Sequence, residues 1–126
     1  MKTAYIYEFL GVVARGKTDI SKKLPIERAI TIMETESNTD LSVSDISDEL
    51  GFDRSYFTTL FKKHTGISPY AYLTRIRIKK ACGLLENSDL PMSEIAERVG
   101  INAHNFARIF KREMGSSPAE YRRSKE

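Results

Sequence analysis

The sequence predicts an all-α fold: two small helix-turn-helix units joined by one long helix. Three observations predict it. Apolar residues recur at three- and four-residue spacing from residue 25 onward, and no stretch reads as a credible strand. The chain also repeats itself: residues 41–72 laid over 90–121, a shift of 49, give 11 identities in 32 positions without a gap. Glycines and Ser-Pro pairs then punctuate both copies at matching places.

Taken in order, Pro25 opens a helix over Ile26, Ala29, Ile30 and Met33, which ends in the polar stretch 36–40. Ser42 or Ser44 starts a short helix through Ile46 and Leu50, because a serine hydroxyl accepts from the free amides of a first turn. Pro91 and Ser93 do the same ahead of Ile95 and Val99. Each short helix ends at a glycine, Gly51 or Gly100, and Asp53 or Asn102 caps the next helix two residues later. That second helix carries Phe57, Leu60 and Phe61 in one copy, and Phe106, Ile109 and Phe110 in the other. Gly66 and Gly115 end it. A short helix, a glycine turn and a longer helix form the helix-turn-helix pattern.

Ser68-Pro69 opens the joining helix, expected over 69–86, with Tyr72, Leu73, Ile76, Ala81, Leu84 and Leu85 inward and Arg75, Arg77, Lys79 and Lys80 mostly solvated. Asn87, Ser88 and Asp89 stop it. Ser117-Pro118 opens a last short helix through Tyr121, ahead of a polar tail from Arg122. Residues 3–15 read as an amphipathic helix with Ile6, Leu10 and Val13 on one stripe, and 16–23 as a linker. The expected division is 1–24 as the tail of a missing N-terminal domain plus linker, 25–86 as the first unit with the joining helix, and 87–126 as the second.

Composition narrows the function. The 126 residues are 40% hydrophobic and 29% charged, which suits a soluble globular chain. The longest apolar run, residues 9–14, is far short of a bilayer span, so no membrane partner is expected. One cysteine, Cys82, excludes an intrachain disulfide and any site built on several thiolates. With only His64 and His104 beside it, no constellation supports a catalytic, metal or cofactor site, so the chain is not read as an enzyme. Charge is unevenly spread. Residues 1–50 carry six basic against nine acidic side chains, a net −3. Residues 51–83 carry seven against the single Asp53, a net +6, and residues 84–126 balance at seven each. A basic block in mid-chain is the footprint of a nucleic-acid binder.

The second unit reads Arg77-Ile78-Lys79-Lys80-Ala81, Leu84-Leu85, Met92, Ile95-Ala96, Val99-Gly100-Ile101, Phe106, Phe110-Lys111, Gly115 and Ser117-Pro118. In order and spacing it resembles the DNA-binding domain of AraC/XylS-family bacterial regulators, over residues 25–123. It departs in one respect, with four residues between Ile101 and Phe106 where many members have five. The resemblance implies homeodomain-like three-helix units, double-stranded DNA as partner, a cytoplasmic location, contact with RNA polymerase, and an N-terminal effector domain in longer members.

Burial of Phe57, Leu60 and Phe61 leaves Arg54, Ser55, Thr58 and Thr59 to meet bases. In the second unit the base-facing set is His104, Ala107 and Arg108, with Arg108 placed to pair with a guanine or else with a phosphate or surface carboxylate. Lys62, Lys63, Lys111 and Arg112 are assigned to phosphates, together with Tyr56 and Asn105 at equivalent places. Two units would enter successive major grooves of an asymmetric site. The rival is a protein–protein module of the same fold that has lost DNA binding, supported by outward Ala103 and Ala107. A complete stand-alone regulator differs only in what residues 1–24 mean.

Overall fold

The computed structural model describes residues 20–126, with side chains from Leu24 onward. The helix expected over 3–15 and the start of the linker lie outside these residues. Among the described residues there are seven helices and no strand: α1 (Ile20–Glu36), α2 (Val43–Leu50), α3 (Arg54–Thr65), α4 (Pro69–Asn87), α5 (Met92–Val99), α6 (Ala103–Met114) and α7 (Pro118–Ser124). The shift of 49 read from the sequence therefore relates α2 to α5, α3 to α6, and the start of α4 to that of α7.

Two compact units emerge, one comprising α1 up to Met33 with Ser42–Tyr72, the other Glu34–Leu41 with Leu73–Glu126. The joining helix gives its first turn to one unit and the rest to the other. The first unit buries Ile26, Ala29, Ile30 and Met33 of α1, Val43 and Ile46 of α2, and Phe57, Leu60 and Phe61 of α3. Phe61 stacks edge-on against Tyr72, with centroids 5.4 Å apart. In the second unit Ile95, Ala96 and Val99 of α5 and Phe106, Ile109 and Phe110 of α6 share a core with Ile78, Ala81, Cys82 and Leu85 of α4. Phe110 meets Tyr121 edge-on at 5.6 Å, repeating the Phe61–Tyr72 pair. Burying each such phenylalanine stabilises its unit by roughly 1.5–3 kcal/mol.

Local chemistry sets the helix ends. Ser42, not Ser44, caps α2: its hydroxyl accepts from the Asp45 amide at 3.1 Å while the Asp45 carboxylate accepts from the Ser42 amide at 2.9 Å. Pro91 occupies the matching place before α5 but has no side-chain acceptor, so that helix starts without a side-chain cap, and Ser93 lies inside it. Helix α1 begins at Ile20 rather than at Pro25. Pro25 thus lies inside the helix, where it removes the bond to the carbonyl of residue 21 and crowds that carbonyl with its ring. Helix α7 continues past Tyr121 to Ser124.

Of the basic residues on α4, Arg77 departs from the expectation of solvation, and Lys80, though exposed, is held at its tip. Arg77 donates from Nε to the Ser37 carbonyl at 2.8 Å and from Nη2 to those of Thr39 and Leu41 at 3.0 and 2.9 Å. Lys80 donates to the Glu34 carbonyl at 3.1 Å and to the Ser37 hydroxyl at 2.6 Å. Carbonyls at a helix end and in the loop after it have no helical partner, so cations from α4 satisfy them. Arg122, expected in a polar tail, does likewise for the carbonyls of Leu85, Ser88 and Leu90. Arg75, Lys79 and Lys80 are exposed as expected.

Candidate nucleic-acid interface

Helix α3 exists because Asp53 caps it and Gly66 stops it. The Asp53 Oδ2 accepts from the Tyr56 amide at 3.2 Å, and Gly66 takes φ 90°, which ends the helix in the left-handed region. Helix α6 is built the same way, with Asn102 Oδ1 accepting from the His104 amide at 2.8 Å and Gly115 at φ 85°. In each, the phenylalanine pair and the aliphatic residue before its second member fix which side is buried. The opposite side is thereby turned outward.

That outward side matches the sequence reading closely. Arg54, Ser55, Tyr56, Thr59, Lys62 and Lys63 are exposed, and Thr58 is half-buried. In α6 Ala103, His104, Asn105, Ala107, Arg108, Lys111 and Arg112 are all exposed. Ser55, Thr58, Thr59 and Lys62 fall at i, i+3, i+4 and i+7, so they line one stripe. His104, Ala107, Arg108 and Lys111 form the equivalent stripe of α6. Tyr56 with Lys63, and Asn105 with Arg112, fall on the strip beside each. The first stripe offers hydroxyls and methyls, the second an imidazole and a guanidinium.

Electrostatics support an anionic partner at both stripes. Lys62 and Lys63 close α3, and Lys111 and Arg112 close α6, where they also complement the negative end of the helix dipole. Arg112 lies 3.4 Å from Glu113, itself half-buried and 3.9 Å from Arg75. Arg108 makes no ion pair among the described residues. His64, matched by Glu113 in the second copy, points inward and bonds through Nδ1 to the Leu60 carbonyl at 3.0 Å. Cys82 is a buried core residue whose thiol pKa is pushed up chiefly by burial. Among the described residues no cluster of histidine, cysteine and carboxylates can hold a metal, and no helix is long and apolar enough to cross a membrane.

Two residues of this surface, Asp53 and Asn102, carry only a structural role in the sequence reading. Asp53 and Asn102 were recognised as caps, yet both are exposed at the leading ends of the two outward stripes. Tyr56 is 47% exposed and held edge-on by Phe52 at 5.4 Å, whereas the residue matching Phe52, Ile101, is buried. The signal for the caps lay in the repeat, which pairs a charged residue with a neutral one at the same place.

Known proteins share this arrangement. The family model for a helix-turn-helix domain of the AraC type matches residues 46–124. A lactose operon transcription activator from Staphylococcus xylosus is 37% identical over 60 residues, 48% of this chain and 22% of that protein. The chain thus spans about a fifth of the length of that relative. The C-terminal domain of AraT, a response regulator from Geobacillus stearothermophilus, superposes with a TM-score of 0.77 at 36% identity, covering 79% of this chain and 84% of that one. The DNA-binding domain of AdpA, a global transcriptional factor solved in complex with a target DNA, gives 0.75 at 29% identity, covering 79% and 91%. With a family model spanning more than half of its length and the repeated helix-turn-helix units in place, the chain belongs to the AraC-type helix-turn-helix family of DNA-binding domains.

Proposed function

We propose that this chain is the DNA-reading region of a bacterial transcription regulator, placing α3 and α6 in successive major grooves of one asymmetric double-stranded site. The observation that carries it is the pair of equivalent outward stripes, each on a helix whose other face is locked into its own core. Arg54, Ser55, Thr58 and Thr59 meet bases in one subsite, and His104, Ala107 and Arg108 in the other. Arg108 is the guanine reader, its fork matched to O6 and N7. Tyr56, Lys62, Lys63, Asn105, Lys111 and Arg112 hold phosphates and so set register rather than sequence. Because the stripes differ in chemistry, a single chain suffices for an asymmetric operator.

The relatives lend support to a wider role. One is a transcription activator and another a response regulator, which supports action in the bacterial cytoplasm through contact with RNA polymerase. It also supports an effector-sensing domain preceding this one in the full-length protein.

The test is a titration against a randomised duplex pool over a series of salt concentrations. Affinity should fall with a log–log slope of about −0.9 for each phosphate neutralised, hence on the order of −4 for the four terminal cations. Lys62→Ala should flatten that slope by about 1 and weaken all sequences alike, while Arg108→Ala should relax one base position. A flat salt response with no enriched sequence would refute the proposal.

A further inference from the structure

The N-caps of the two recognition helices occupy equivalent places, yet their capping bonds leave opposite chemistry on offer. Asp53 spends Oδ2 on the Tyr56 amide, so what remains to an incoming partner is a carboxylate oxygen that can only accept. Asn102 spends its carbonyl oxygen on the His104 amide. Only an oxygen can accept that N–H, so the assignment of the side-chain amide is fixed, and its NH2 group is left to donate. Both residues are exposed, and each lies at the N-terminal end of its helix, the end that reaches base edges in helix-turn-helix complexes.

The charge at position 53 gains from the positive end of the helix dipole, and, being exposed, it also acts on whatever this helix end meets. Asp53 is the single acidic residue in the net +6 block from 51 to 83. Asparagine caps as well as aspartate does, and Asn102 shows that this fold accepts it. A carboxylate beside DNA is repelled by phosphates and by every base edge that presents only acceptors. In the major groove guanine N7 and O6 and thymine O4 are acceptors, whereas cytosine N4 and adenine N6 are amino donors. Adenine sets its N7 acceptor next to N6, so cytosine offers the better partner.

We infer that the two caps are specificity determinants of opposite sign, Asp53 selecting an amino-bearing base, cytosine first, in its subsite, and Asn102 selecting an acceptor-bearing base in the other. The inference rests on the DNA-reading function proposed above and adds to it two residues and the class of base each admits.

Site selection from a randomised duplex pool, run on the unmutated chain, Asp53→Asn and Asn102→Asp, tests this. Both substitutions preserve the cap, and thermal midpoints measured alongside verify that the fold is unchanged. The unmutated chain should enrich cytosine over thymine at one position of the first subsite by about tenfold, in line with one charge-assisted hydrogen bond. Asp53→Asn should abolish that preference and admit guanine or thymine there, with every other position unaltered. Asn102→Asp should impose a new amino-base preference in the second subsite. Asp53→Ser, which also caps, serves as the second variant and should lose the cytosine preference without gaining another. If Asp53→Asn and Asp53→Ser tighten binding to all sequences by one common factor and leave base frequencies unchanged, Asp53 acts only as a general repulsive charge and the inference falls. If the unmutated chain itself enriches nothing, the DNA-reading function falls and takes this inference with it.

Discussion

Gly51 and Gly100 are identical under the repeat and take nearly the same backbone, φ 78° and 83°, yet their surroundings differ sharply. A Cβ on Gly51 would meet nothing within 4 Å. On Gly100 it would sit 2.6 Å from the Thr39 carbonyl oxygen and 3.0 Å from Arg77 Nε, and closer still to the Ser37 carbonyl oxygen. Gly51→Ala therefore costs only the left-handed penalty, about 1–2 kcal/mol. Gly100→Ala adds a collision with backbone that the Arg77 guanidinium holds in place, so its loss should clearly exceed that of Gly51→Ala in urea or thermal unfolding. Equal losses would mean that residues 37–39 yield freely. Sequence reading placed both glycines at helix ends, because the left-handed turn is a local requirement. It could not tell them apart, because what crowds Gly100 comes from about sixty residues earlier in the chain. Arg77 escapes sequence reading for the same reason: a cation that satisfies distant carbonyls looks in sequence like one on a solvated face.

Helices α3 and α6 were legible almost residue by residue, since one buried side at 3.6-residue spacing leaves the opposite side defined. Helix α4 was less so. Ile78 and Thr74 are buried beside the expected Leu73 and Ile76, because this helix is covered on more than one side and no single stripe describes it. Helix starts divided similarly. Ser117 begins α7 with a reciprocal pair, its hydroxyl accepting from the Glu120 amide at 3.1 Å and its amide donating to Glu120 Oε1 at 2.9 Å. The bond from the Ser117 amide, joined by its hydroxyl, holds the Glu120 carboxyl below its ordinary pKa of 4.5. A carboxylate whose pKa is depressed on folding contributes stability above the ordinary value and loses it as pH falls through the lowered one. Glu120→Gln keeps an acceptor but no charge. Its thermal midpoint should lie below that of the unmutated chain at neutral pH, with the gap closing as pH drops below 4.5. A gap that persists in acid would assign the loss to side-chain geometry rather than to the charge.

At the scale of the whole molecule, the division into two units, each with its own aromatic core, decides how binding energy should combine. Thr59 and Arg108 are equivalent under the repeat but stand on different units, so on the proposed reading each contacts its own subsite. Perturbations that share no partner usually add within about 0.3–0.5 kcal/mol. Thr59→Ala and Arg108→Ala should therefore add in the free energy of binding to one duplex carrying both subsites. A matching set of duplexes sharpens the expectation. Altering the guanine assigned to Arg108 should remove the effect of Arg108→Ala, worth about 1–3 kcal/mol, and leave that of Thr59→Ala intact. Fluorescence anisotropy with the four proteins against the four duplexes measures every term. Additivity would mean that the basic mid-chain block and the charge-balanced C-terminal segment read DNA independently of one another. A coupling above about 1 kcal/mol would instead mean that seating one helix reorganises the DNA met by the other, so that the deformability of the intervening base pairs becomes part of the sequence being read.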